Sequence, residues 1–229
     1  MAQSSTTLVI SAGSGMGAAV AVRMRERGDH VIELDSDLDL TDPSAVAVAL
    51  GSVAPGSVDR VVIAALPPSS FLAEPIISLD DDAWDRAAEA PVRAAFVVLQ
   101  QVHAVVADDG RVVLVLPTVA TTGVAGLVPL CTAVEAIRVM AKAVARRWGA
   151  RSITVNTIEV ELRAFILGDD DGEDSESSVP VVPVLGQPAL PPGGAVDDVL
   201  GLIDMLCTPA AGAITGGLLV ADRGTVMQP

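Results

Sequence analysis

Thr7-Leu8-Val9-Ile10-Ser11-Ala12-Gly13-Ser14-Gly15-Met16-Gly17-Ala18-Ala19-Val20-Ala21 changes character twice within a short span. An apolar run at Thr7 to Ile10 predicts a short buried strand, and the small residues Ser11 to Gly17 predict a tight turn. From Gly15 onward Ala18, Val20, Ala21 and Met24 recur at helical spacing until Arg27-Gly28 ends the pattern. A strand, a glycine-rich turn and a helix in that order make the first unit of a parallel α/β sheet. They also bring backbone N–H groups and a helix N-terminus to one point, where a pyrophosphate can bind. A glycine turn made only for close packing of strand and helix is the competing reading of the same residues.

Working outward, His30 to Leu34, Leu38 to Leu40, Arg60 to Ala65, Arg111 to Leu116, Ile153 to Ile158 and Ile214 to Val220 read as strands. Between them, Thr41-Asp42-Pro43 is a helix start with a capping residue and proline at the first helical position. Ala83 to Ala107 is a long helix interrupted by Pro91; Cys131 to Trp148 and Val196 to Leu206 are further helices. The alternation predicts a Rossmann-type doubly wound parallel sheet, α/β in class, with residues 1–229 forming a single domain. The length suits one core, and a composition that is 51% hydrophobic with only 2% aromatic residues favours aliphatic layers.

The formal net charge of −15 disfavours nucleic acid and anionic membrane partners. Val112 to Val134 is uncharged and long enough to cross a bilayer, but Pro117, Gly123, Gly126 and Pro129 break it into strand and loop, so no membrane span is expected. Two distant cysteines, Cys131 and Cys207, and no signal-like N-terminus point to a cytoplasmic setting. Residues 168–193 combine Asp169, Asp170, Asp171, Glu173, Asp174 and Glu176 with a proline-bearing segment, and are expected to form a mobile, solvated loop. Carboxylates without histidine or fixed spacing select no metal there.

From end to end the chain resembles the short-chain dehydrogenase/reductase superfamily. Val9 to Gly17 is similar to its V-T-G-x-x-x-G-x-G loop, with Ile10 and Ser11 in place of the threonine and first glycine. Asp39-Leu40-Thr41-Asp42 resembles its D-V-T-D. Trp84-Asp85-Arg86, Gly110-Arg111-Val112-Val113, Ile153-Thr154-Val155-Asn156 and Ile214-Thr215-Gly216-Gly217 resemble later landmarks in the same order. The resemblance implies cofactor contacts at Ser11, Gly13, Ser14, Gly15, Met16, Gly17, Asp39, Leu40, Ala64 and Ala65. Asp35, at the end of the second strand, either accepts hydrogen bonds from an adenosine ribose, favouring NAD over NADP, or belongs with Asp37 and Asp39 to a solvated acidic rim.

The family's chemistry uses a tyrosine, a lysine four residues later, a serine and an asparagine, and this chain contains no tyrosine at all. Counting back from Ile153 to Asn156 puts Leu130 at the tyrosine position and Val134 at the lysine position; Pro91 falls at the asparagine, and Pro117 or its neighbour Thr118 at the serine. Leucine and valine carry no exchangeable proton, and general acid–base catalysis is worth about 10²- to 10⁴-fold. Substitute polar groups are Thr118, which suits a strand-end hydroxyl bonding backbone, and Glu159 and Glu161, which follow a strand whose C-terminal end faces the ligand crevice. Cys131 reads as a small buried residue, Glu135 with Arg138 as a surface or interface pair, and His30 and His103 as structural or exposed.

The leading expectation is therefore a non-catalytic assembly subunit or a ligand- or nucleotide-binding protein. Its partner would be itself, as dimer or tetramer, or an active relative, joined through the helices of Ala83 to Ala107 and Cys131 to Trp148. The alternative is an enzyme: an NAD(P)-dependent oxidoreductase with a proton donor other than tyrosine, or a non-redox cyclase or isomerase in the same cleft. NAD as cofactor and no cofactor at all both remain open.

Overall fold

The computed structural model describes residues 5–11, 14–34, 37–168, 188–191 and 194–227. Strands β1 (Thr6–Ile10), β2 (His30–Glu33), β3 (Val58–Ile63), β4 (Val106–Pro117), β5 (Thr154–Val160) and β6 (Leu218–Ala221) form one six-stranded sheet. Its order is β2-β1-β3-β4-β5-β6 and every pairing is parallel, as the alternating pattern predicts. Every residue of β5 is buried, so its side chains meet apolar layers on both faces. Winding reverses between β1 and β3, which sets a crevice at their C-terminal ends, where open α/β sheets take ligands.

Helices α1 (Gly15–Glu26), α7 (Leu162–Leu167) and α8 (Ala195–Leu206) pack together on one side of the sheet. On the other lie α2 (Pro43–Ala49), α3 (Asp81–Trp84), α4 (Ala90–Val105) and α6 (Val128–Trp148), with the short α5 (Val119–Thr122) leading into α6. Asp42 caps α2 by accepting from the Ser44 N–H at 2.8 Å, with Pro43 in the first turn. Pro91 does interrupt its helix: a π-helical turn at Asp85–Glu89 joins α3 to α4, and the Ala90 N–H bonds to the Asp85 carbonyl. A proline without an N–H breaks the regular ladder, and the wider turn absorbs the irregularity.

Two expected strands differ. Leu38 to Leu40 is a turn, because Asp39 Oδ1 accepts from the Thr41 N–H at 2.9 Å and its hydroxyl at 2.6 Å, closing the backbone locally. The last strand starts at Leu218 rather than Ile214. Asn156 receives the Gly217 N–H on its Oδ1 at 3.0 Å and donates its Nδ2 to the Ile214 carbonyl at 2.8 Å, holding residues 214–217 as a bend in which Gly216 has φ +68°. Among the described residues no helix is long and apolar enough to cross a membrane.

Candidate active site

The first half of the site is the β1–α1 turn. Ser14 caps α1: its Oγ accepts from the Gly17 N–H at 3.1 Å and donates to the Phe165 carbonyl at 3.0 Å. A Cβ on Gly17 would stand 2.7 Å from Ser11 Cβ and 3.0 Å from Ala64 Cβ. Only glycine lets α1 approach the sheet so closely, and this close packing stands alongside any ligand contact as a reason for the residue. Met16 and Ala64 are fully buried and Ala65 nearly so; the Ala64 N–H bonds to the Ile10 carbonyl at 2.8 Å, tying the end of β3 to β1. Ser11 donates to Glu33 Oε1 at 3.2 Å, and Glu33 Oε2 is held by Arg25 at 2.6 Å. Glu33, unremarked in the sequence, is thus the described acid beside the turn. Gly13 and Asp35 lie outside the described residues, as does most of 168–193. Asp39 is held below the usual carboxylate range by the Thr41 hydroxyl and N–H, an intra-turn role, and Leu40 packs into the core.

The second half lies where β4 and β5 end beneath α6. Leu130 and Val134 are fully buried on α6, and Pro91 and Pro117 are buried as well, so each family position named from sequence sits in apolar packing. One turn beyond Val134 the same helix face presents Arg138. Its Nε stands 3.3 Å from Glu159 Oε1, its terminal nitrogen bonds Glu135, and Glu159 Oε2 accepts from the Thr121 hydroxyl at 3.0 Å. Glu159 is completely buried. Burial pushes its carboxyl above the ordinary range, against the opposing pull of the Arg138 charge and the Thr121 hydrogen bond. Glu159 Oε1 and Arg138 Nε make no hydrogen bond, so this contact is electrostatic.

The structure therefore separates the polar candidates. Glu159 joins a buried cluster; Glu161 is exposed at the start of α7 and makes no side-chain cap. Thr118 is buried, and its N–H bonds the Val160 carbonyl at 2.8 Å, closing β4 onto β5. The hydroxyl that reaches Glu159 belongs to Thr121, three residues on. Glu135 and Arg138 do pair, but Arg138 points inward rather than forming a surface pair, with a side chain only 14% exposed. The i, i+4, i+8 series Leu130, Val134, Arg138 held that information, since its first two members are core residues. Cys131 is half-buried with Sγ 3.3 Å from the Val119 carbonyl, and burial raises its thiol. The His103 ring packs against Trp148 in a tilted arrangement, with centroids 5.1 Å apart and planes at 39°.

Residues 33–226 match the short-chain dehydrogenase family described as enoyl-(acyl carrier protein) reductase, and the chain belongs to the short-chain dehydrogenase/reductase superfamily. It is 26% identical over 253 residues to the D-threitol dehydrogenase of Mycolicibacterium smegmatis, taking in 96% of this chain and 92% of that protein. The NAD-dependent glycerol dehydrogenase of Listeria innocua is 24% identical over 246 residues, covering 96% of this chain and 93% of its own. A blue fluorescent protein from a metagenomic library, solved in complex with NADPH, superposes with a TM-score of 0.77 at 26% identity, over 97% of this chain and 98% of that one. These full-length relatives are named as active dehydrogenases, which overturns the expectation of a non-catalytic assembly subunit or mere binding protein. Two aliphatic residues, Leu130 and Val134, are too narrow a basis for that expectation, because the same region also holds the ionisable Glu159 and Arg138.

Proposed function

We propose that the chain is a nicotinamide-dependent oxidoreductase interconverting an alcohol and a carbonyl, with proton transfer through Thr121 and Glu159 in place of a tyrosine. The observation that carries this reading is the completely buried Glu159 at the C-terminal end of β5, hydrogen-bonded to the half-buried Thr121 hydroxyl. Names of relatives favour alcohol oxidation over reduction of a carbon–carbon double bond. The cradle suits a dinucleotide in its chemistry: Gly15 and Gly17 carry no Cβ, Ser14 supplies a hydroxyl, and the α1 N-terminus attracts a pyrophosphate. When bound there, a nicotinamide ring supplies the hydride acceptor.

In the oxidation direction Thr121 accepts the proton of the substrate hydroxyl while passing its own to ionised Glu159, the direction in which that hydrogen bond already points. Arg138 keeps Glu159 ionisable inside an apolar layer by standing 3.3 Å away. Because burial raises the carboxyl, ionised Glu159 accumulates at higher pH than an ordinary glutamate, and oxidation should rise with pH through that shifted value.

The test is oxidation of D-threitol and glycerol with NAD and NADP by wild type, Glu159→Gln and Thr121→Val. Both variants should lose about 10²- to 10⁴-fold in kcat, keep their nucleotide affinity and, for Glu159→Gln, lose the pH-dependent rise. Wild-type turnover in Glu159→Gln refutes the proton path. A wild type inert toward both alcohols with both nucleotides refutes the reading altogether.

A further inference from the structure

The N-terminus of α1 is already met by oxygen atoms of the chain itself. A Cβ on Gly15 would lie 2.4 Å from the Ile166 carbonyl oxygen, 2.6 Å from Leu167 C and 2.8 Å from the Leu167 oxygen. The Phe165 carbonyl takes the Ser14 hydroxyl at 3.0 Å in a buried hydrogen bond. On the other side of this crossing, at the C-terminal end of α7, a Cβ on Gly168 would stand 3.0 Å from the Gly15 oxygen and 3.3 Å from Ala19 Cβ. Two glycines distant in sequence thus face each other where α7 ends on α1, and neither position has room for a side chain.

The electrostatics match. The last carbonyls of a helix lack intrahelical donors and carry partial negative charge, while the first N–H groups of α1 carry partial positive charge. A phosphate would use those N–H groups in the same way. The side chain of Phe165 anchors the arrangement: it is fully buried, and its ring packs against Phe71 with centroids 6.1 Å apart at 59°. Phe71 closes the short turn Pro68–Phe71 that follows β3, on the crevice between β1 and β3.

We propose that α7 is an internal plug, its carbonyls of Phe165, Ile166 and Leu167 occupying the pyrophosphate cradle at the α1 N-terminus until a dinucleotide displaces them. This rests on the nicotinamide reading above. A helix of six residues has little stability of its own, so α7 holds its place through the buried Leu162 and Phe165, the packing of Ala164 and Ile166, and the Ser14 bond. Gly168, at φ +70°, supplies a pivot at its C-terminal end. The nucleotide then binds only the fraction of molecules with the cradle uncovered, and its apparent affinity is weakened by that fraction.

The experiment titrates NADPH and NADH into wild type and Phe165→Ala by nucleotide fluorescence. Loss of the anchor should tighten binding about tenfold or more, since the competing state is depopulated; equal affinity in the two proteins overturns the plug. A second readout avoids any question of whether the variant folds. The chain has three phenylalanines, Phe71, Phe96 and Phe165, and fluorophenylalanine-labelled wild type gives each a fluorine resonance. Phe165 should show no H2O/D2O solvent shift in the free protein and acquire one at saturating NADPH, with the half-exposed Phe96 shifted throughout as the internal standard. A Phe165 resonance that stays insensitive to solvent in the NADPH complex overturns the plug while leaving the cofactor reading intact. If neither wild type nor Phe165→Ala binds either nucleotide, the cofactor reading falls and takes the plug with it.

Discussion

The two halves of the crevice have kept different things. At the β1–α1 turn Gly15 and Gly17 stand where the glycine loop of the family is expected although Ser11 replaces its first glycine, and Gly17 is required by the sheet itself, whose Ser11 and Ala64 side chains leave no space for a Cβ. Beneath α6, Leu130 and Val134 are buried among apolar neighbours, and the next turn of the helix brings Arg138 to the buried Glu159 of β5. Close packing in the first half ties Gly17 to folding, so a change there carries a cost in stability whether or not a ligand binds. In the second half the polar contacts are made by side chains projecting from α6, α5 and β5, and none of them involves the backbone pairing that holds the sheet together. A missing tyrosine is therefore weaker evidence about activity than it looks, and a retained glycine is weaker evidence about ligand binding.

Three substitutions bear on this contrast. Arg138→Ala should have the largest effect, since it leaves the buried Glu159 carboxylate without its cation; removing one member of a buried pair costs about 3–5 kcal/mol. The sign of its pH dependence follows from the direction of the shift. Glu159 is raised in the folded protein, so its contribution to stability is fully present at pH below the unfolded carboxylate value and is lost as pH rises through the folded one. Without Arg138 the folded value rises further, and urea unfolding should show the variant's deficit growing from acid to neutral pH. A deficit independent of pH would mean that Arg138 acts through packing alone.

Gly17→Ala should cost about 1–3 kcal/mol, as overpacking against Ser11 and Ala64 does in a close-packed interior. Thermal unfolding in the absence of any nucleotide measures this, because the cost is one of packing and is present without a ligand. An alanine variant as stable as wild type would return Gly17 to a purely ligand-binding role and erase the difference between the halves. Arg27→Ala, outside both halves, removes an exposed ion pair to Asp204 between α1 and α8 and should change stability by less than about 1 kcal/mol. A larger loss would show that the α1–α8 contact, rather than the turn, fixes where α1 sits.

Periodicity and turn chemistry in the chain alone determined a parallel α/β sheet, the glycine turn between β1 and α1, the capped start of α2 and the irregularity at Pro91, because hydrophobic repeats and capping residues act over a few positions. Leu38 to Leu40 escaped that reading because a side-chain hydrogen bond two residues long, Asp39 to Thr41, outweighs an apolar pair of residues. Only tertiary structure decided the rest. Thr121 and Glu159 meet across 38 residues because β4 and β5 run parallel in register, which pairs Leu116 with Glu159. Ser14 meets the Phe165 carbonyl across 151 residues because α7 folds back over the start of α1. Contacts of that range depend on how strands align and helices cross, and no local pattern of residues carries that information.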